Sequence, residues 1–293
     1  MFIKKKRSEI FQKLFHSFIK RYLHKIAKKK MLLENEQRLI INSFDAVGNT
    51  INIDGGYESD FLETLKIYLM KNYEGIENKF AVDVGAYIGT HSLFYSKIFK
   101  KVISFEPHPD SFEILKLNCK KYKNIEIFNM GCSNKNYKAN LRRKHTNVGG
   151  STITNESSIF NHEINLVKLD DELIRYDGKI GLIKIDTEGH ENEVLEGVTK
   201  VIKKNKPIIT FESNQISKKG NNIPLCIETL KNIGYSKFYK IDFINNYNLI
   251  QNNIISSSID LLAKLILGNN YGIKEIKKFK NKKYQNLITF PDN

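Results

Sequence analysis

Apolar residues recur at near-helical spacing over residues 3–26. Ile3, Ile10, Phe11, Leu14, Phe15, Phe18, Ile19, Tyr22, Leu23 and Ile26 share one side, and Lys, Arg and His fill the other. This period predicts a basic amphipathic helix. Residues 39–54 alternate weakly about Gly48-Asn49, which predicts a small hairpin between Phe44–Val47 and Thr50–Ile53. Asp60-x-x-Glu63 then reads as a capping box for a helix running through Tyr73.

From Phe80 the pattern changes to short apolar runs separated by amphipathic ones. Strands are expected at Phe80–Val84, Val102–Glu106, Ile125–Met130, Lys179–Asp186 and Pro207–Glu212. Helices are expected at Thr90–Phe99, from Asp110-x-x-Glu113 to about Lys121, and at Glu191–Lys204. This alternation specifies an α/β fold, a doubly wound sheet with helices on both faces. Tyr235–Ile241 and Tyr284–Phe290 are expected to add an antiparallel pair, with an apolar helix at Ile254–Leu267 and a solvated basic segment at Lys274–Lys283 between them. Residues 134–165 are polar and irregular and read as loop. The chain divides into a helical extension, 1–38, and one α/β domain, 39–293.

Composition alters this picture in one respect. A chain of 293 residues with 41% hydrophobic content can bury a sizeable core. Its net charge of +15 suggests a nucleic-acid partner until the charge is located. Residues 1–30 carry eleven Lys or Arg and one acid, and residues 274–283 carry six Lys and one Glu. The rest of the chain is neutral, so a basic groove across the domain is not expected. The basic helix has three readings: packing on its own domain or a second subunit, attachment to an anionic membrane surface, or nucleic-acid contact. Cys119, Cys132 and Cys226 lie far apart, without zinc-ligand spacing, and read as free thiols of a cytoplasmic protein. No run reaches the length of a membrane span.

The chemistry concentrates at strand ends. Phe80–Val84 runs into a turn spaced Gly85-x-x-x-Gly89, unlike the G-x-G-x-x-G of dinucleotide sites. Asp83 stands on the strand just before it, where a carboxylate would repel a pyrophosphate and attract an ammonium group. Asp83, Gly85, Ala86 and Gly89 are therefore candidate contacts for the methionine end of S-adenosyl-L-methionine. Glu106 ends the next strand, 23 residues after Asp83, where a carboxylate can accept from both ribose hydroxyls. Gly131-Cys132-Ser133 closes the third strand at the same rim, with backbone groups of Gly131 and Cys132 as candidate adenine contacts. The fourth strand ends Lys184-Ile-Asp-Thr-Glu-Gly-His-Glu191. Methyl transfer to an alcohol needs a general base, and Asp186, Glu188 and His190 are the candidates. Asp186 and Glu188 are alternatively a pair of divalent-cation ligands, with no evident third.

These blocks resemble the FkbM family of S-adenosylmethionine-dependent methyltransferases. The match covers Phe80 to Ser213. It comprises Val82-Asp-Val-Gly-Ala-Tyr-Ile-Gly89, Phe105-Glu-Pro107, Leu117-Asn118, Leu169-Asp170, Ile185-Asp-Thr-Glu-Gly-His-Glu191, Leu195-Glu-Gly197 and Phe211-Glu212. The resemblance implies a Rossmann-like class I methyltransferase sheet. It also implies O-methylation of a sugar, glycan precursor or other small metabolite, and cofactor roles for Asp83, Gly85 and Glu106. Tyr87 departs from the family, which often has Asn there. Ser151-Thr152 falls where the family often has a short Ser-containing segment beside the site. Two other functions compete with this one: a nucleic-acid methyltransferase anchored by its basic termini, and a non-catalytic membrane-associated protein with the same fold.

Overall fold

The computed structural model describes residues 7–31, 39–42, 45–142, 150–154, 161–176, 178–213, 223–243, 271–279 and 282–292. The chain forms two compact units, Met1–Tyr57 and Glu58–Asn293, a later boundary than the one read after residue 38. The expected helix at Ile254–Leu267 lies outside the described residues.

In the first unit, α1 (Arg7–Met31) is the amphipathic helix, and its apolar stripe faces solvent: Phe11 is 71% exposed. The expected hairpin is instead a helix, α2 (Ala46–Asp54). The local chemistry explains the change. The buried Asp45 carboxylate accepts from the amides of Val47 and Gly48, as an N-cap does. Gly55, in the left-handed region at φ 89°, stops the helix. Gly48, read as a turn glycine, is instead buried inside it.

The second unit begins with α3 (Ser59–Asn72). Its N-cap is Glu58, and no side chain closes the capping box expected of Asp60 and Glu63. There follow β1 (Phe80–Val84), α4 (Thr90–Tyr95), β2 (Lys101–Phe105), α5 (Pro109–Cys119) and β3 (Ile125–Phe128). After these, β4 (Gly131–Ser133), β5 (Tyr137–Arg142), β6 (Thr152–Thr154) and β7 (Asn161–Lys168) occupy much of the stretch read as irregular. The rest comprises α6 (Leu169–Leu173), β8 (Ile180–Ile185), α7 (Glu191–Gly197), α8 (Thr199–Asn205), β9 (Ile208–Ser213), α9 (Leu225–Ile233), β10 (Phe238–Phe243), β11 (Tyr271–Glu275) and β12 (Tyr284–Thr289).

Eight strands form one sheet in the order β11-β10-β12-β9-β8-β1-β2-β3. β3, β2, β1, β8 and β9 are parallel. β12 pairs antiparallel with both β9 and β10, as expected, and β11 extends the edge. Chain order reverses between β1 and β8, so their carboxyl ends open the crevice where such sheets bind ligands. Every residue of β1 is buried, as a central parallel strand covered on both faces requires. One cluster packs Val82, Val84, Ile103, Ile183 and Phe211 with α6 to α9. A second packs Ala81, Val102 and Leu182 with α3 and Tyr95.

The remaining strands form a second sheet, β4-β7-β5-β6. Its alternation was hidden because only Leu141, Ile164 and Leu166 anchor its small core. It docks on the first sheet's helices through Gly197. A Cβ there would lie 1.9 Å from the Ser133 carbonyl oxygen. The helix expected over Glu191–Lys204 breaks just beyond, at Val198. Asp170 supplies the reason. Its carboxylate reaches from α6 and accepts from the amides of Lys200 and Val201, capping α8 as a separate helix.

Gly197→Ala is therefore expected to destabilise the fold despite alanine's better helix propensity. Overpacking against backbone should cost about 1–3 kcal/mol in urea unfolding. An unchanged midpoint would mean that α7 does not press on β4.

Candidate active site

The site is built around the turn between β1 and α4. Gly85 has φ 77°, and a Cβ on it would lie 1.8 Å from the Asp186 carbonyl oxygen. Only glycine lets the ends of β1 and β8 approach this closely. Gly89, at φ 93°, presses on Leu115 and Cys119 of α5, and from that helix Asn118 donates to the Ile88 carbonyl at 2.8 Å. Tyr87 takes the left-handed conformation at φ 51°, which Asn tolerates better than a bulky ring.

The turn's amides are committed within the protein. Those of Gly85 and Ala86 both donate to the Phe105 carbonyl, and that of Tyr87 donates to Glu106 Oε2 at 2.7 Å. A pyrophosphate site would aim such amides at its ligand. Here they bind β2 and deliver a carboxylate, so the turn does not fit a dinucleotide. The amide of His108 holds the other Glu106 oxygen at 2.8 Å, and Asn129 ties down the Glu106 carbonyl. Glu106 is 6% exposed. Burial pushes its pKa up to about 7, against the pull of these two amides and of Lys184. Each oxygen of this oriented carboxylate keeps a lone pair for a hydroxyl donor. These features fit the ribose of S-adenosyl-L-methionine.

Asp83 lies beneath the turn. It is completely buried. One oxygen accepts from Ser92 Oγ at 2.6 Å, and the other lies 3.2 Å from Lys184 Nζ. The carboxylate is thus held inside the protein by Ser92 and Lys184. Lys184 is the residue that sequence reasoning missed. Its ammonium donates to the Gly85 carbonyl at 2.8 Å and lies 3.5 Å from Asp186. Burial alone would lower its pKa, but Asp83 and Asp186 hold it above the ordinary lysine value. Asp83 therefore acts through Lys184, as a positioning residue beneath the turn. The signal was present: a lysine inside an otherwise apolar parallel strand needs a buried partner.

Gly131 and Cys132 lie in the second sheet. They are buried in β4 and pair with Leu166 and Val167 of β7. The Cys132 side chain belongs to the main core. β4 is the edge strand of the second sheet, so its backbone pairs with another strand on one side only. Thr152, near the expected family segment, pairs with Arg142 in β6.

The three base candidates do not share one environment. Asp186 is at the open rim, its side chain 37% exposed. Glu188 has a left-handed backbone at φ 52°. His190 turns back toward the second sheet, with Nε2 at 2.9 Å from Ser133 Oγ and Nδ1 at 3.7 Å from Glu193. Burial lowers the His190 pKa, while Glu193 and Glu196 oppose the shift. Glu191, crowded with them in sequence, is a buried cap that accepts from the amides of Gly189 and Thr187.

A parallel core that reverses order above a glycine turn, with a buried acid following the adjacent strand, is the Rossmann-like class I methyltransferase fold. A model of the Methyltransferase FkbM domain matches residues 83–242. The chain belongs to the FkbM methyltransferase family. Hexuronic acid methyltransferase AglP of Haloferax volcanii is 31% identical over 134 residues, which are 44% of this chain and 54% of that protein. The chain thus spans about half the length of this relative. The solved structure of methyltransferase FkbM from Methylobacillus flagellatus KT is 17% identical and covers 61% of this chain and 46% of that one, with a TM-score of 0.36. A SAM-dependent methyltransferase from Aquifex aeolicus is 13% identical and covers 63% and 86%, with a TM-score of 0.35. Likeness at this level assigns no residue's role.

Lys184→Met should strand the Asp83 carboxylate without a countercharge. The expected loss is about 3–5 kcal/mol of stability, as for breaking a buried pair from one side. Chemical denaturation measures it, and a loss below about 1 kcal/mol would show that the pair is not what neutralises Asp83.

Proposed function

We propose that this chain is an O-methyltransferase acting on a hydroxyl of a sugar, glycan precursor or other small hydroxylated metabolite. The observation that carries this reading is the position of Asp186. It is an accessible carboxylate at the carboxyl end of β8, and its backbone touches the glycine turn. S-adenosyl-L-methionine, when bound, supplies a methyl group already activated by its sulfonium. The protein's tasks are then to align the acceptor and take its proton. Glu106 holds the ribose. Asp186 accepts the proton from the acceptor hydroxyl, and Lys184 stays charged beneath it and keeps the carboxylate in place. Glu188 is the second acid of the rim. His190 fixes the start of α7 against Ser133, which makes it a positioning residue. The neutral body of the chain favours a small acceptor over nucleic acid. The hexuronic acid named for the Haloferax relative supports a sugar-type acceptor.

A membrane contact is part of the same proposal. The exposed stripe Phe11, Leu14, Phe15, Phe18 and Tyr22 runs along α1, and Lys13, Lys20, Arg21 and Lys25 lie between and beside it. No described helix is long and apolar enough to cross a membrane. A stripe of this kind suits the surface of an anionic bilayer, where apolar insertion and charge attraction add. The enzyme would then work at the cytoplasmic face.

Two measurements test these assignments. Asp186→Asn should lower kcat by about 10²–10⁴ while calorimetry shows cofactor affinity retained, and Glu106→Ala should do the reverse, weakening affinity first. Unchanged turnover in the first variant removes Asp186 from the base role, and unchanged affinity in the second removes the ribose assignment. Separately, the full chain should co-sediment with anionic but not neutral liposomes, and deletion of residues 1–30 should abolish this. Equal sedimentation after deletion would end the membrane assignment.

A further inference from the structure

Three potential metal ligands meet beside the segment that carries Glu106. His108 follows β2 and caps α5, Asp110 lies in the first turn of α5, and His162 lies near the start of β7 in the second sheet. One ligand atom from each lies within 4.8 Å of the others. The two imidazoles stand 4.9 Å apart between centroids, at 68° to one another. His108 and Asp110 come from the start of α5 and His162 from the second sheet, 52 positions beyond Asp110, so local helix geometry does not bring all three together.

We infer that His108, Asp110 and His162 form a binding site for a divalent transition-metal ion of the zinc class. Two imidazoles and one carboxylate are a ligand set that suits zinc and its neighbours better than calcium or magnesium. Steeply inclined rings let two nitrogens face one point without the planes clashing. Ligands on bonds of about 2.1 Å around a tetrahedral ion stand ~3.4 Å apart. Closing the set therefore takes only about an ångström of side-chain movement. His108 is buried and His162 is partly so, which gives the site a walled side, while Asp110 is exposed and leaves an open one. A fourth position would face that opening and hold water. The N-terminus of α5 opposes a cation here, but the Asp110 carboxylate, on the same turn, offsets it.

The placement gives the ion a structural consequence. The His108 amide already orients Glu106, and His162 belongs to the second sheet. A shared ion would clamp that sheet to the segment holding the ribose-binding acid. The site is independent of the Asp186 assignment, so either can fail without the other.

The test uses the full chain, stripped of metal by chelator and dialysed. Titration calorimetry with zinc chloride should show one equivalent bound at micromolar affinity or tighter, and zinc should raise the unfolding midpoint. Cobalt(II) in its place should give the visible absorption of a low-coordinate site. His162→Gln and Asp110→Asn should each weaken zinc binding at least tenfold. Their metal-free circular dichroism and unfolding midpoints should match the parent, which separates ligand loss from misfolding. His24→Gln, on α1, should leave stoichiometry and affinity unchanged. No stoichiometric uptake by the parent chain would overturn the inference, as would uptake that survives the His162→Gln, Asp110→Asn double substitution.

Discussion

The buried ion pair between Asp83 and Lys184 is the constraint on which the site depends. Each residue sits one position from the carboxyl end of a central parallel strand whose other residues are mostly apolar and buried. Alone, either charge would cost several kcal/mol to bury. Paired across adjacent strands, with Ser92 on one oxygen and the Gly85 carbonyl accepting from the ammonium, each has a countercharge. The pair also joins β1 to β8 at the point where the sheet reverses order. The turn that crosses this point cannot move without disturbing a charge.

That constraint extends outward through backbone groups. Lys184 holds the Gly85 carbonyl, while the amides of residues 85–87 hold the end of β2. Glu106 is thereby aimed before any ligand arrives. Asn118 from α5 and Asn129 beyond β3 secure the same assembly from two further sides. This is preorganisation: the ordering is done during folding rather than at the moment of binding. Asp186, 3.5 Å from the same lysine, is the member of the network open to solvent.

Several elements could be read without coordinates because their signals are local. The parallel strands announce themselves as short apolar runs, and Gly85 and Gly89 mark the turn between the first of them and its helix. The 23-residue step to Glu106 follows from one strand-helix-strand unit. Other elements depended on partners far away in sequence. The cap on α8 comes from Asp170, some thirty residues earlier, so a continuous apolar period disguised two helices as one. Among the described residues, the small core of the second sheet is Leu141, Ile164 and Leu166, and polar strands of that kind do not alternate visibly. At residues 46–54, a buried Asp45 carboxylate outweighed the turn character of Gly48-Asn49.

The amino-acid order alone determined the class of fold, the family and the strand ends at which the chemistry sits, because periodicity and glycine spacing are properties of neighbouring residues. What side chains do at those ends was decided only by the tertiary structure. Asp83, Gly131 and Cys132 look like rim residues in the sequence and are interior residues in the fold. Lys184 looks like an ordinary strand residue and is the hub. The physical reason is that exposure and charge pairing arise between strands brought together from about 100 positions apart, a distance over which no sequence pattern reports.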